Sequence, residues 1–143
     1  MKIEKHRESL QEVLDEITAA LDDPRGVISH QRRLAMMLSI GICDLFSIYF
    51  HKHLVMKSGS MIKHEWFRQK RLKELLQQQI IQPIEMFESV DLMIKIARDI
   101  EEARDNLAYG APLKKEDFLI DKINQFLEMK KIAEKGGEGN EPV

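Results

Sequence analysis

Three histidines near the middle of the chain could bind a metal ion. His51 and His53 form an H-x-H pair, and His64 is followed directly by Glu65. On a helix, residues two apart project about 200° from each other, so His51 and His53 could not share one ion there. The sequence also lacks the E-x-x-H and H-x-x-x-H pairs that are typical of di-metal and zinc sites. We therefore expect no metal and no cofactor, and interpret these histidines as solvated or hydrogen-bonded.

A basic run over residues 63–73 could bind phosphate groups. It holds five Lys/Arg residues, one acid and two aromatic residues. Cations bind the backbone of single-stranded RNA and aromatic rings stack on its bases, so Lys63, Lys70 and Arg71 are candidate RNA-binding residues. The alternative is that Trp66 packs in the core while the cations form a solvated helix face, an arrangement that is common on helices.

Asp44 is an acid within an apolar run. Residues 34–50 read LAMMLSIGICDLFSIYF, in which Ser39, Asp44 and Ser47 are the clearly polar residues. A buried carboxylate is costly unless it is paired. Asp44 therefore either forms an interhelical ion pair or a hydrogen bond to a hydroxyl, or belongs to a functional cleft. The arginines that could pair with it are Arg32, Arg33, Arg98 and Arg104.

The end of the fourth predicted helix carries a motif. Residues 104–110 read RDNLAYG, followed by a turn and a final predicted helix. This arrangement resembles the signature of HEPN domains, the higher-eukaryote and prokaryote nucleotide-binding family, in which an Arg and a polar residue precede a His. Arg104 matches the Arg and Asp105 the polar residue, whereas Tyr109 stands where the resemblance would place the His.

The resemblance implies an antiparallel helical bundle in which the motifs of two protomers meet in a cleft at the dimer interface. In active members it implies metal-independent RNA cleavage, with the His assisting attack by the ribose 2′-OH and the Arg holding the phosphate. A phenol with a pKa near about 10 is a poor base at neutral pH, so Tyr109 favours binding of RNA or a nucleotide through Arg104 without cleavage. The alternative for Arg104 is a structural cation near a helix C-terminus, paired with Asp99 or Glu101. Family members often work beside a small nucleotidyltransferase, which suggests a partner of that kind.

Hydrophobic periodicity predicts an all-α fold, an antiparallel up-and-down bundle of four to five helices. No strand-like alternation, repeat or glycine-rich nucleotide loop occurs in the sequence. The length predicts one domain over residues 1–135, and the polar, glycine-rich residues 136–143 predict a disordered tail. The predicted helices span residues 2–22, 30–55, 61–80, 83–108 and 114–134.

The run 34–50 must be buried on nearly all sides. It approaches the length of a membrane span, but it is shorter than the usual ~20 residues, and inserting Asp44 would cost roughly 2.5–3.5 kcal/mol. We expect its own bundle to cover one face of this helix. A second subunit would then cover the face with Met36, Ile40, Cys43 and Phe50. This predicts a homodimer through the central and fourth helices and no membrane association.

Composition is ordinary for a soluble globular chain, with 43% hydrophobic residues, 32% charged residues and a net charge of −2. The charged, amphipathic start does not resemble a signal peptide, and the single Cys43 within an apolar run is typical of a reducing compartment. We therefore expect a cytoplasmic protein. Charge is uneven, because residues 25–73 hold ten Lys/Arg and two acids, a net of +8.

Three functions stay open from the sequence. The first is a HEPN-like bundle that binds RNA or a nucleotide without nuclease activity. The second is a non-catalytic, dimeric protein-interaction module, and the third is a metal-independent ribonuclease that uses His64 as its base. The candidate binding residues are Asp44, Lys63, Lys70, Arg71, Arg104, Asp105 and Tyr109.

Overall fold

The computed structural model describes residues 2–138, with side chains as far as residue 135. Within this range five α-helices pack around one hydrophobic core, which confirms the all-α helical bundle. They are α1 (Ile3–Asp22), α2 (Gln31–Lys52), α3 (Leu72–Gln77), α4 (Ser89–Tyr109) and α5 (Asp117–Glu138). Three short 3₁₀ turns lie between them, at Val27–His30, His64–Arg68 and Ile84–Met86. The described residues form no strand beyond one isolated bridge between Met56 and Ile80.

The helix α2 lies at the centre and packs against α1, α4 and α5. Its own chain buries nearly all of its apolar residues, including Phe50, which we expected to face a second subunit. On this helix Met36 and Ile40 stay about half exposed, with the partly buried Cys43 beside Ile40. The predicted homodimer stays a prediction, and the apolar strip available to it is narrower than expected.

The segment Val27–Lys52 is long and apolar enough to cross a membrane by length and composition alone. Most of its apolar window is buried inside the bundle. The core helix of a soluble protein has the same properties, so the segment is weak evidence for a membrane span.

Gly41 marks the closest approach of α2 to its neighbours. A Cβ atom at this position would lie 2.5 Å from Cε1 of Phe126 on α5 and 3.1 Å from Cγ1 of Val13 on α1. Real Cβ atoms essentially never come within 3.0 Å of such a neighbour. The glycine within the apolar run therefore permits the packing of three helices.

The predicted helix over residues 61–80 is wrong as a continuous helix. Gln69 is extended, with φ −93° and ψ 141°, and separates the 3₁₀ turn at His64–Arg68 from α3. Both Phe67 and Leu72 are buried. On one continuous helix, residues five apart point about 140° from each other, so the extended residue is what allows both side chains to reach the core.

The fourth and fifth helices differ from prediction at their ends. α4 begins at Ser89 instead of residue 83, because Phe87 is extended and interrupts the helical path. α5 runs over Asp117–Glu138 instead of 114–134. The predicted disordered tail 136–143 therefore overlaps the last turn of α5, and residues 139–143 lie outside the described residues.

Candidate functional site

A cleft of about 620 Å³ opens between the first turns of α1, the middle of α2 and the segment 60–65. This volume is within the range of small-molecule binding sites, roughly 300–1,000 Å³. The polar residues on its walls are Lys5, His6, Ser9, Ser39, Asp44, Ser60, Lys63, His64 and Glu65. The remaining wall residues are Ile40, Cys43, Met61 and Ile62. Two of the predicted site residues, Asp44 and Lys63, thus share one cleft.

Asp44 lines this cleft and is buried. Ser9 Oγ donates a hydrogen bond to its Oδ2 at 2.5 Å, and His6 Nδ1 lies 3.0 Å from its Oδ1. These contacts explain how the carboxylate is tolerated in an apolar helix. Asp44 is therefore both hydrogen-bonded to a hydroxyl and part of a cleft. Its ionisable partner is His6, which the sequence interpretation missed, and not one of the four arginines considered.

A second carboxylate, Glu101 of α4, has the same kind of surroundings. Its side chain is fully buried, Ser39 Oγ donates to its Oε2 at 2.9 Å, and His64 Nδ1 lies 2.8 Å from its Oε1. Ser39 and His64 both line the cleft, so Glu101 lies behind the cleft wall. Sequence reasoning considered Glu101 as a partner of Arg104 and missed its place behind the cleft, although its spacing of four residues from buried Ala97 places it on the inward face of α4.

Each buried carboxylate orients one imidazole. Because Nδ1 of His6 faces the carboxylate, a neutral His6 carries its proton on Nδ1 and leaves Nε2 as an acceptor. His64 has a carboxylate on each side, since its Nε2 lies 3.4 Å from Oε1 of Glu65. The hydroxyls of Ser9 and Ser39 donate to the carboxylates, so neither is paired with a histidine base as a nucleophile would be. The arrangement suits binding or proton transfer by imidazole.

The motif residues Arg104 and Asp105 connect to this cleft indirectly. Arg104 Nη1 lies 3.3 Å from Oδ1 of Asp105, and Arg68 Nη1 donates to Oδ2 of Asp105 at 2.9 Å. Arg68 Nη2 also lies 3.5 Å from Oε1 of Glu101, which contacts His64. Hydrogen bonding to Arg68 holds the pKa of the Asp105 carboxyl below its usual range. A chain of charged contacts therefore links Arg104 to the cleft wall.

Arg104 itself is mostly buried, with 14% of its side chain exposed. Its Nε is buried and has no hydrogen-bond partner in the part of the chain that the structure describes. Tyr109, at the end of α4, is exposed and does not line the cleft.

Lys70 and Arg71 lie outside the cleft on the exposed turn before α3. Trp66 packs against the core, and Phe67 is buried with its ring centroid 5.3 Å from that of Phe46. This packing fits the second interpretation of the basic run. Of the run's cations, Lys63 is the one that faces the cleft.

In the part of the chain that the structure describes, Cys43 and the remaining histidines are not arranged as a reactive centre or as a cluster of metal ligands. Burial, and then the negative charge of Asp44, raise the pKa of the Cys43 thiol well above its usual range, which disfavours the nucleophilic thiolate. The His6 and His51 ring centroids are 6.0 Å apart. Among the described residues no group of three or more His, Cys, Asp or Glu side chains could hold a metal ion.

Comparison with known proteins does not assign the chain to a family. No protein-family model matches the chain, and neither the curated proteins nor the solved structures contain a match. The HEPN resemblance and the nucleotidyltransferase partner that it implies therefore stay predictions. The function has to be argued from the cleft and the surfaces around it.

Proposed function

We propose that the protein binds a nucleotide or a short segment of single-stranded RNA in this cleft. The observation that carries the proposal is the combination of Lys5, Lys63 and two imidazoles with apolar surface in about 620 Å³. The ammonium groups of Lys5 and Lys63 can bind phosphate oxygens. Each imidazole adds a donor for phosphate only when Nε2 is also protonated, because its Nδ1 faces a carboxylate. Ile40 and Met61 offer an apolar surface to the base or sugar, a division of roles that is typical of small-molecule sites.

Exposed cations extend the proposed surface beyond the cleft. Within the basic run, Arg68 is paired with Asp105, and Lys73 Nζ lies 2.7 Å from Oδ1 of Asp91. Lys70 and Arg71 are exposed and form no ion pair in the described chain, so they can neutralise the phosphates of an RNA that leaves the cleft.

Binding of a fluorescently labelled single-stranded RNA across a salt series tests this proposal. We expect affinity to fall with salt, because phosphate contacts release counterions. Lys63→Glu and the double reversal Lys70→Glu/Arg71→Glu should each weaken binding by about tenfold or more. The matched control is Lys131→Glu, which reverses an exposed charge on α5 that has no ion pair in the described chain.

The same titration with Arg104→Ala tests the role that the resemblance implies for that residue. Unchanged affinity would make Arg104 a structural cation. Absence of RNA and mononucleotide binding by the wild type would overturn the proposal and favour the protein-interaction module. A loss in Lys131→Glu equal to that in Lys63→Glu would also overturn it, because binding would then depend on net charge alone.

A second candidate function is metal-independent ribonuclease activity, supported by the two oriented imidazoles on one cleft. One of His6 and His64 would remove the proton of a ribose 2′-OH as this oxygen attacks phosphorus. The other would protonate the departing 5′-oxygen, leaving a 2′,3′-cyclic phosphate and a new 5′-hydroxyl end. His6→Gln and His64→Gln should each abolish cyclic-phosphate products while RNA binding persists. Binding without any cleavage by the wild type would exclude this activity and leave the first function standing.

A further inference from the structure

A second pocket, of about 490 Å³, lies where the start of α2 meets the connection between α4 and α5. Its lining contains three arginines, and we call it the arginine pocket. Its residues are Arg25, Ile28, Ser29, Gln31, Arg32, Arg33 and Pro112. We propose that the arginine pocket binds a dianionic phosphate group, of the kind found at the end of a phosphorylated small molecule or at the 5′ end of an RNA.

Two of the three guanidinium groups are held in position by ion pairs. Arg25 donates from Nε at 3.2 Å and from Nη2 at 2.9 Å to the carboxylate of Asp23. Arg33 donates from Nε to Oε1 of Glu16 at 3.2 Å. In the described chain neither Nη1 group has an acceptor, so each arginine is fixed on one side and keeps donors for a ligand. Such preorganisation lowers the entropic cost of binding.

The third guanidinium, that of Arg32, is exposed and has no ion pair or hydrogen bond among the residues that the structure describes. Three arginines against the carboxylates of Asp23 and Glu16 leave the pocket positively charged. A terminal phosphate offers two charges and three oxygens to the planar donors of arginine. An internal phosphodiester offers a single charge and would use less of this donor set.

Buried Gln31 holds another part of the pocket wall in place. Its Nε2 donates to the carbonyl oxygens of Leu107 and Ala111 at 3.1 and 3.3 Å, and its Oε1 accepts from the backbone N–H of Leu113 at 2.8 Å. These bonds attach the connection after α4 to the start of α2 and bring Pro112 into the lining. The pocket is larger than one phosphate, which leaves room for the group that carries it.

The proposal does not rest on RNA binding in the cleft, because the two sites share no lining residue. The probe is inorganic pyrophosphate, titrated by calorimetry at constant ionic strength so that screening stays fixed. We expect saturable binding at one site, weakened about tenfold or more in Arg32→Gln because charged hydrogen bonds are lost. Arg32 forms no ion pair or side-chain hydrogen bond in the described chain that its replacement would break, so this variant should fold normally.

The matched control is Arg7→Gln, an exposed arginine on α1 without an ion pair in the described chain. Arg7 lies about 22 Å along α1 from Asp22, the last residue of the helix. The arginine pocket is near that end of the helix. We expect its affinity for pyrophosphate to equal that of the wild type. No saturable binding by the wild type, or equal weakening by Arg7→Gln and Arg32→Gln, would overturn the proposal.

A second arm separates the two sources of the phosphate. If the ligand is an RNA end, a 5′-phosphorylated oligonucleotide should bind more tightly than its 5′-hydroxyl counterpart, and Arg32→Gln should remove the difference. Equal binding of both oligonucleotides, with pyrophosphate binding intact, would assign the pocket to phosphorylated small molecules. Pyrophosphate binding that is lost in Lys63→Glu and kept in Arg32→Gln would place the ion in the cleft and overturn this proposal, which keeps failure of the cleft proposal distinguishable from failure of this one.

Discussion

His64 Nδ1 lies 2.8 Å from Oε1 of Glu101, a carboxylate whose side chain is fully buried. The imidazole is partly exposed on the cleft side, so the pair connects the cleft to the interior of the bundle. Ser39 donates a hydrogen bond to the carboxylate at 2.9 Å, and Arg68 forms an ion pair with it at 3.5 Å. An isolated charge could not be buried at this position without such partners.

Removing the buried acid should therefore strongly destabilise the fold. We expect Glu101→Ala to lower the free energy of unfolding by roughly 3–5 kcal/mol, because it leaves the donors around it without an acceptor. Glu101→Gln should cost less, since its amide oxygen can still accept from Ser39. Urea denaturation measures both, with Glu102→Ala, an exposed neighbour on α4, as the control. An equal loss in Glu102→Ala would contradict this account.

The bundle could be predicted because helix formation and burial follow local periodicity. Two local patterns each predict a buried face without knowledge of the rest of the chain. One is the stripe of apolar residues on the first predicted helix, which includes Val13 and Ile17, and the other is the apolar run 34–50. The break at Gln69 could not be predicted in this way. It depends on where the core lies relative to Phe67 and Leu72, which is a property of the assembled bundle.

The cleft was predictable only in part, for the same reason. Asp44 is conspicuous in the sequence because its neighbours are apolar. His6 and Ser9 precede it by 38 and 35 residues and reach it through the register of α1 on α2. The place of Glu101 behind the cleft was missed because its partners Ser39 and His64 come from two other segments, and no local pattern indicates them.

His30 should make stability depend on pH. Its Nδ1 lies 2.7 Å from Oε1 of Glu16 and its Nε2 lies 2.8 Å from Oδ2 of Asp23, so a protonated ring can donate to both. The hydrogen bond to Glu16, and then the one to Asp23, raise the pKa of His30 above its ordinary 6.5. Burial and the charge of Arg33 act to lower this pKa but do not outweigh them. The stabilisation is complete below the ordinary value and is lost as pH rises through the higher pKa of the folded state.

The measurement is the difference in unfolding free energy between the wild type and His30→Gln, taken between about pH 5 and about pH 9. We expect this difference to be largest at the acidic end of that range and to shrink as pH rises. The partner carboxylates have lowered pKa values and stay ionised throughout this range. A difference that grows with pH would contradict the expected protonated pair.

Gly41→Ala should destabilise the protein although alanine favours helices. The added methyl group would overlap the ring of Phe126, which is buried and cannot move into solvent. Overpacking of this kind costs about 1–3 kcal/mol, whereas replacing a helical glycine gains up to about 1 kcal/mol. Urea denaturation should show a net loss, and Phe126→Leu should be less harmful in the Gly41→Ala background than alone. A Gly41→Ala variant more stable than the wild type would contradict this prediction, because α2 and α5 could then move apart to accept the methyl group at little cost.

A homodimer remains our expectation, and the exposed residues Met36, Ile40 and Met61 are where we expect its interface. Ile40 and Met61 also line the cleft, so a second copy seated there would enclose it. Sedimentation at micromolar concentration should show a dimer that Ile40→Asp converts to a monomer. Leu54→Asp, at an exposed residue in the loop after α2, should leave the dimer intact. A monomeric wild type would contradict this expectation.

The Cys43 thiol should react slowly with alkylating reagents although it lines the cleft. Because burial and the charge of Asp44 raise its pKa, little thiolate exists at mildly alkaline pH. We expect alkylation of the native protein at about pH 8 to be at least about tenfold slower than that of the urea-unfolded chain. Asp44→Asn should accelerate the native reaction by removing the nearby charge, and a ligand bound in the cleft should slow it further. A rate of alkylation in the native protein equal to that in the unfolded chain would mean that the thiol is solvated. Slower alkylation in the presence of RNA or a nucleotide would place that ligand against α2.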